Sequence, residues 1–132
     1  MDCIFCKIVN GIIPSAVVYE DEYFKAILDI APANKGHVII ITKNHYKDLL
    51  ELGVEESENI LKVAKKITEK LTDTLGVTEF NILQNNGHNA GQTVYHYHCH
   101  IIPRFANDDV SINWKVLKVD ADELNEIAKK LS

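Results

Sequence analysis

A single long helical pattern interrupts a series of short strand-like runs, and this order restricts the possible folds more than any other feature of the chain. The pattern covers Glu55–Leu75, and Gly76 directly after it supplies a helix C-terminal stop. Its apolar residues recur at helical spacing on one face: Ile60, Ala64, Ile67 and Leu71. The strand-like runs on either side are Val17–Glu20, Tyr23–Leu28, Val38–Ile41, Phe80–Leu83 and Tyr97–Ile102. Consecutive strands with one inserted helix predict an α+β domain around an antiparallel sheet of about five strands.

The remainder of the chain adds one short helix and contains no sign of a domain boundary. Ala121–Leu131 is amphipathic, and its predicted inward residues are Leu124, Ile127, Ala128 and Leu131. The sequence contains no internal repeat and no Gly/Ser-rich linker, and its 132 residues suffice for one core but not for two. We therefore predict a single domain over residues 1–132.

Composition disfavours several classes of function. The formal net charge is −5 and most lysines are dispersed among acids, which argues against extended contact with a nucleic-acid backbone. No stretch approaches the roughly 20 apolar residues that span a bilayer, and the N-terminus lacks the pattern of a secretory signal. The three cysteines are an odd number, which argues against a disulfide framework. We therefore expect a cytoplasmic protein with neither nucleic-acid nor membrane partners.

Three histidines at every second position are the strongest chemical signal. In the run His96–His100 the imidazoles are predicted to lie on one face of a strand, about 6.6 Å apart along the chain. Two chemistries suit such a row: zinc binding, and attack of a neutral imidazole nitrogen on phosphorus while flanking histidines neutralise charge. The preceding loop Asn85–Thr93 favours the second, because its glycines let backbone N–H groups approach a phosphate.

The segment Gly91–Arg104 resembles the signature of the histidine triad (HIT) superfamily, and matching segments extend over most of the chain. These segments are Ile4–Ile8, Ile12–Ser15, Ala26–Pro32 and Gly36–His45. The likeness is greatest to the Hint-like proteins of bacteria and archaea. It implies a HIT-like fold, a homodimer, and an enzyme that hydrolyses or transfers purine nucleoside monophosphate esters or amidates through a nucleotidyl-histidine intermediate. The alternative functions are a nucleotide-binding regulatory protein with little catalysis and a dinucleoside polyphosphate hydrolase.

The resemblance also implies roles for individual residues. His98 matches the nucleophile, and the carbonyl of His96 matches the acceptor that fixes its tautomer, while His37 matches a supporting residue on the neighbouring strand. The residues matched to phosphate contacts are His100, Asn85, Gly91, Gln92 and Thr93. The residues matched to the nucleoside are Asp29 for the ribose hydroxyls and Ile4, Phe5, Ile8, Ile27 and Ile30 for the base. Each of these apolar residues is equally consistent with an ordinary core position.

The pair Cys3-x-x-Cys6 is a second chemical feature. By itself such a pair indicates zinc, redox chemistry or coincidence, and redox chemistry is disfavoured because no strand precedes it. A closed zinc site needs four ligands. The resemblance supplies the other two as His45 and His96, which implies a structural zinc site that attaches the N-terminus to the catalytic strand.

Overall fold

A computed structural model describes residues 2–132, which form one five-stranded antiparallel sheet with helices on both faces. The strands are β1 (Val17–Glu20), β2 (Phe24–Leu28), β3 (Val38–Thr42), β4 (Phe80–Leu83) and β5 (His98–Pro103). The helices are α1 (Ile4–Val9), α2 (Val54–Leu75) and α3 (Ala121–Leu131), with short 3₁₀ turns at Leu49–Glu51 and His88–Ala90. The strand order is β1-β2-β3-β5-β4, so β3 is central and is buried along its whole length. The predicted α+β class and antiparallel sheet are confirmed.

The long helix α2 covers one face of the sheet and builds the main core. Its acidic first turn contains Glu55 and Glu56, which suits the positive end of the helix dipole. It ends at Gly76, which adopts the left-handed conformation (φ 68°) that terminates helices without a steric cost. Its buried face packs on side chains from the central strands, among them Val38, Ile40 and Cys99. This packing uses the apolar stripe that the sequence pattern predicts.

The short helix α1 covers part of the opposite face and has no counterpart in the sequence prediction. Six residues are too few for helical periodicity to be recognised. Cys3 caps the helix, because its thiol accepts a hydrogen bond from the backbone N–H of Cys6 at 3.4 Å. Phe5 and Ile8 pack beneath the helix against a second apolar cluster that includes Ile39. Residues 3–9 are thereby held beside the sheet face on which the histidines lie.

Several predicted bounds differ by one residue, and two differences have a clear physical reason. The strand β5 begins at His98 rather than at Tyr97, because the backbone N–H of Tyr97 donates to the carbonyl of Tyr46 at 2.6 Å instead of pairing within the sheet. The helix α3 is present, but its predicted inward face has no core to pack on: Leu124, Ile127 and Leu131 are 55%, 48% and 83% exposed, and Ala128 is exposed as well. That inward prediction was wrong, because an amphipathic pattern specifies an apolar face but not the surface that covers it.

Within residues 2–132, no helix combines the length and the apolar composition needed to cross a lipid bilayer.

Candidate active site

The central feature of the site is the orientation of the His98 ring. Its Nδ1 lies 2.8 Å from the carbonyl oxygen of His96. A carbonyl can only accept, so Nδ1 carries the proton and Nε2 carries the free lone pair. The ring is buried (8% exposed) and contacts the edge of Phe5 and the ring of His100, with centroids 4.9 and 5.0 Å away. Burial lowers the pKa of His98 below its usual value, so the imidazole is neutral at pH 7.

The tautomers of two further histidines follow from a chain of hydrogen bonds. The backbone N–H of Ala33 donates to Nδ1 of His37 at 3.0 Å, so the proton of this neutral ring is on Nε2. That Nε2 lies 2.9 Å from Nδ1 of His100, to which it donates. His100 therefore carries its own proton on Nε2, where it is available to an oxygen of a ligand. The pairing of β3 with β5 creates this contact. It places Ile39 opposite His100, and His37 lies two residues before Ile39, so its side chain points to the same face of the sheet.

The surroundings keep both of these rings uncharged. Burial is the main cause that lowers the pKa of His37. Burial, together with the neighbouring His98 and His37, lowers the pKa of His100 to about 4. Asp29 acts in the opposite direction, and its Oδ2 lies 3.6 Å from Nε2 of His37. Asp29, His37 and His100 are close enough to suggest a metal site, but the proton on His37 Nε2 occupies the position that a metal would take.

The ring of His98 faces a cavity of about 280 Å³, which we call the histidine cavity. Its lining contains all but one of the residues that the resemblance matches to nucleotide contacts: Ile4, Phe5, Ile8, Ile27, Asp29, Ile30, Asn85, Gly91, Thr93, His98 and His100. Ile30 stands at the rim and is 97% exposed. The lining also includes residues that the sequence did not single out, among them Ser15, Ile39 and Val94. A larger groove of about 710 Å³ between β1 and α2 contains no histidine and no triad residue.

Gln92 is the nucleotide-contact candidate that the structure places outside the cavity. Its side-chain amide donates to the carbonyls of Lys47 and Val94, and its Oε1 accepts from the backbone N–H of Gly87. Its own backbone N–H donates to the carbonyl of Gly87 at 3.1 Å. All of these polar groups are engaged within the protein, so Gln92 shapes the loop rather than facing a ligand. The structure thus places the side chain of Gln92 in the loop and outside the lining of the histidine cavity.

A second group of side chains, which we call the Cys/His cluster, consists of Cys3, Cys6, His45 and His96. One ligand atom from each residue lies within 4.8 Å of the other three. Nε2 of His96 donates to the carbonyl of Thr42 at 2.7 Å, so its Nδ1 has a free lone pair directed at the cysteines. Burial lowers the pKa of His96, which favours the neutral ring that metals bind.

The spacing within the Cys/His cluster suits a tetrahedral metal ion. A zinc ion with bond lengths of about 2.3 Å to sulfur and 2.05 Å to nitrogen separates two nitrogens by about 3.4 Å and a sulfur from a nitrogen by about 3.6 Å. The two histidine Nδ1 atoms are 3.1 Å apart, and each Sγ lies 3.3 Å from its nearest Nδ1. Burial and the adjacent Cys3 raise the pKa of Cys6, and a bound cation would stabilise its thiolate. The residues fit zinc in both geometry and donor type.

The conserved-domain model for the HIT domain matches residues 10–107 of the chain. The chain belongs to the HIT family. A HIT-like protein of Methanocaldococcus jannaschii is 49% identical over 123 residues, covering 92% of this chain and 95% of its own length. The adenosine 5'-monophosphoramidase of Schizosaccharomyces pombe is 39% identical, with coverage of 100% of this chain and 97% of its own.

Solved HIT-family structures agree with the fold. The crystal structure of a HIT protein from Bacillus subtilis superposes with a TM-score of 0.93 at 40% identity, covering 99% of this chain and 95% of its own. A zinc-bound histidine triad protein from Mycobacterium smegmatis gives a TM-score of 0.79 at 38% identity, with coverage of 87% and 84%. Membership of the HIT family is thus supported by both sequence and fold.

Two contacts that orient histidines in this HIT site could not be predicted from the sequence. Ala33 orients His37, and Thr42 orients His96, in each case through a main-chain atom. Every residue type offers these atoms, so the sequence carries no signal for them.

Proposed function

We propose that this chain is a nucleotide hydrolase and nucleotidyl transferase of the phosphoramidase type, acting on amidates or esters of purine nucleoside monophosphates. The observation that carries the proposal is the hydrogen bond from His98 Nδ1 to the carbonyl of His96, which leaves a neutral Nε2 facing the histidine cavity. An imidazole held in this tautomer is a nucleophile for phosphorus. The name of the S. pombe relative, an adenosine 5'-monophosphoramidase, supports the same reaction class.

The proposed reaction has two displacements at the α-phosphorus. In the first, Nε2 of His98 forms a bond to phosphorus while the bond from phosphorus to the leaving nitrogen breaks, and that nitrogen takes a proton from water. In the second, a water oxygen forms a bond to phosphorus and the bond to Nε2 breaks, while the proton that this water loses passes to the hydroxide left by the first step. His100 donates its Nε2–H to a phosphate oxygen in both steps, which stabilises the charge that develops there.

Binding of the nucleoside is assigned to other residues that line the cavity. Asp29 Oδ1 accepts the backbone N–H of Ala31 at 2.9 Å, which orients the carboxylate and leaves lone pairs for ribose hydroxyls. Ile4, Ile8 and Ile27 provide apolar surface for the base. Asn85, Gly91 and Thr93 line the cavity beside the histidines, where phosphate oxygens are expected.

We assign a structural zinc ion to the Cys/His cluster, with Cys3, Cys6, His45 and His96 as ligands. The spacing of the ligand atoms and the tautomer of His96 support this assignment, as does the zinc-bound relative from M. smegmatis. When bound, the ion links the start of α1 to the residue whose carbonyl orients His98. The ion takes no part in the displacement, because these four ligands fill a tetrahedral shell.

We also infer a homodimer that joins two sheets edge to edge. The strand β4 pairs only with β5 among the described residues, which leaves its other edge open. Phe80 and Ile82 on this strand are 41% and 37% exposed. An open edge with apolar side chains is a surface that natural proteins usually cover. Sedimentation at micromolar concentration tests this inference, and a monomer would contradict it.

The reaction is tested by mixing the enzyme with adenosine 5'-phosphoramidate, quenching rapidly without acid and measuring the intact mass. We expect a transient gain of one adenylyl group, located on the peptide that contains His98. The variant His98→Ala is expected to form no adduct and to lose turnover, while His88→Ala, in a loop outside the histidine cavity, retains both. Turnover by His98→Ala at the original rate would show that another group is the nucleophile.

A further inference from the structure

The peptide unit between His96 and Tyr97 is hydrogen-bonded at both of its polar ends. Its carbonyl oxygen accepts the Nδ1–H of His98 at 2.8 Å. Its N–H, which belongs to Tyr97, donates to the carbonyl of Tyr46 at 2.6 Å. Because a peptide unit is rigid and planar, a bond that fixes the direction of the N–H also fixes the direction of the carbonyl. The carbonyl of Tyr46 therefore bears on the contact that orients the nucleophile.

The sheet itself does not hold this peptide. The pairing of β3 with β5 reaches only to His98, which lies opposite Ile41, and the pairing with β4 reaches only to His100. A peptide plane outside a sheet can rotate between two fixed side chains through opposite changes in the two adjoining dihedral angles. Such a rotation would turn the carbonyl of His96 away from His98. Burial of the His96 and Tyr97 side chains thus leaves the direction of this carbonyl open.

The bond to Tyr46 also strengthens the acceptor. An amide whose N–H donates a hydrogen bond is polarised, so its carbonyl oxygen accepts a second hydrogen bond more strongly. The effect is larger inside a protein than in water, and both His96 and His98 are buried. Direction and polarisation therefore act in the same sense, and both keep the proton of His98 on Nδ1.

The side chain of Tyr46 holds its main chain in place. The ring is partly buried and packs against the main core beneath α2. Its hydroxyl lies at the first turn of that helix, beside the Glu56 carboxylate, which is 1% exposed. A Cβ atom at Gly53 would lie 2.5 Å from both the Tyr46 hydroxyl oxygen and Glu56 Oε1, so these groups meet closely where α2 begins. Tyr46 is thereby anchored on the helix that supports the opposite face of the sheet.

We propose that Tyr46 is a positioning residue for the reaction: anchored at the start of α2, it directs the His96 carbonyl at His98 and so sets the tautomer of the nucleophile. This inference rests on the proposed function, because the tautomer matters to catalysis only if His98 attacks phosphorus. Tyr46 does not line the histidine cavity, so it acts through the peptide and not on the substrate.

The wild-type protein provides the first test. The ring nitrogens of His98 are observed by ¹⁵N NMR in the zinc-loaded protein at pH 8, and hydrogen exchange of the Tyr97 amide is measured in the same sample. We expect the proton of His98 on Nδ1 alone and a protected Tyr97 amide. A Tyr97 amide that exchanges as fast as one in an unfolded chain would overturn the proposal.

Two variants at Tyr46 provide the second test. Tyr46→Ala removes the anchor, so we expect His98 to populate both tautomers and kcat for adenosine 5'-phosphoramidate to fall by about 2-fold to 10-fold, the worth of one neutral hydrogen bond. Little change in KM is expected, because the substrate contacts remain. Tyr46→Phe removes only the hydroxyl beside Glu56. It is expected to speed exchange of the Tyr97 amide and to lower kcat by a smaller factor than Tyr46→Ala.

Two control variants separate positioning from packing and from metal binding. The Tyr23 ring packs against the same core as the Tyr46 ring, but the Tyr23 carbonyl accepts from the N–H of Lys43 at 2.8 Å. Tyr23→Ala is therefore expected to lower the urea midpoint as Tyr46→Ala does, while His98 keeps one tautomer. Cys6→Ala removes a ligand of the Cys/His cluster and leaves Tyr46 in place. It is also expected to keep one tautomer, so loss of metal does not reproduce the effect of Tyr46→Ala.

The outcomes separate the positioning role from the proposed function. A single tautomer of His98 in Tyr46→Ala, or an equal loss of kcat in Tyr46→Ala and Tyr23→Ala, would overturn the role of Tyr46 while the reaction stands. If Tyr46→Ala does not fold, the Tyr97 amide of Tyr46→Phe decides, and an exchange rate equal to that of the wild type would overturn the anchoring. Absence of the adenylyl adduct in the wild type would overturn the proposed function, whatever the NMR spectra show.

Discussion

Acidification is expected to destabilise this protein well before its carboxylates are protonated, because the fold holds His100 in the neutral form. The pKa of His100 is about 4 in the fold, against an ordinary value near 6.5 in the unfolded chain. Between these values the unfolded chain binds the extra proton, so stability falls as pH falls. The full contribution is present above about pH 7.5. At pH 5 the loss from His100 alone amounts to about 2 kcal/mol.

Urea unfolding of the wild type and of His100→Gln at pH 8 and pH 5 measures this effect. Glutamine keeps a hydrogen-bonding side chain at the position but does not titrate. We expect the wild type to lose about 2 kcal/mol more than the variant between the two pH values. His37 and His98 also have lowered pKa values, so both proteins lose further stability in the same direction. Loss of metal from the Cys/His cluster at low pH affects both proteins and cancels in the difference.

An equal loss of stability in the two proteins would refute this reasoning. It would mean that His100 titrates in the fold as it does in the unfolded chain. The argument that burial and its histidine neighbours keep it neutral would then be wrong. A larger loss in His100→Gln than in the wild type would contradict the sign of the effect as well as its size.

Three further predictions concern the site. Because the pKa of His98 is lowered, kcat/KM for an adenosine phosphoramidate is expected to stay constant as pH falls to 6.5 and to decline only below that value. This parameter reports groups of the free enzyme, and an inflection at or above pH 6.5 would contradict the prediction. His37→Ala is expected to reduce kcat by about 10-fold to 100-fold with little change in KM, because the hydrogen bond that fixes the tautomer of His100 is lost. An unchanged kcat in steady-state assays would show that His37 does not position His100 for the reaction. Cys6→Ala is expected to abolish zinc binding, measured by elemental analysis, and to lower Tm by about 5 °C or more, whereas Cys99→Ala keeps the metal. A zinc content in Cys6→Ala equal to that of the wild type would contradict the assignment of zinc to the Cys/His cluster.

The elements that the sequence predicts well are those whose buried face shows as a repeating apolar pattern within the element itself. The pattern in Glu55–Leu75 repeats over several turns, so the helix and its buried face are recognisable, and the structure extends it by one residue to Val54. The strand β3 is recognisable as central because it is apolar at almost every position. The alternation of His98, Cys99 and His100 likewise follows from the geometry of a strand.

Other features depend on contacts that no local pattern encodes. The helix α1 is too short to show a period, and a cysteine caps it in place of the usual Ser, Thr, Asp or Asn. The orientation of the apolar face of α3 requires a covering surface that residues 2–132 of one chain do not provide. Gln92 carries the residue type expected at a phosphate, yet its position relative to Lys47 and Gly87 directs its amide into the loop.

The contact that orients the nucleophile has a consequence for how this protein can change over time. The acceptor for His98 Nδ1 is a peptide carbonyl at position 96, and any amino acid placed there supplies the same oxygen. The imidazole at position 96 belongs instead to the Cys/His cluster. A substitution at position 96 therefore removes a metal ligand and still leaves the carbonyl that orients His98. Metal binding and orientation of the nucleophile can thus evolve separately, although His96 contributes to both.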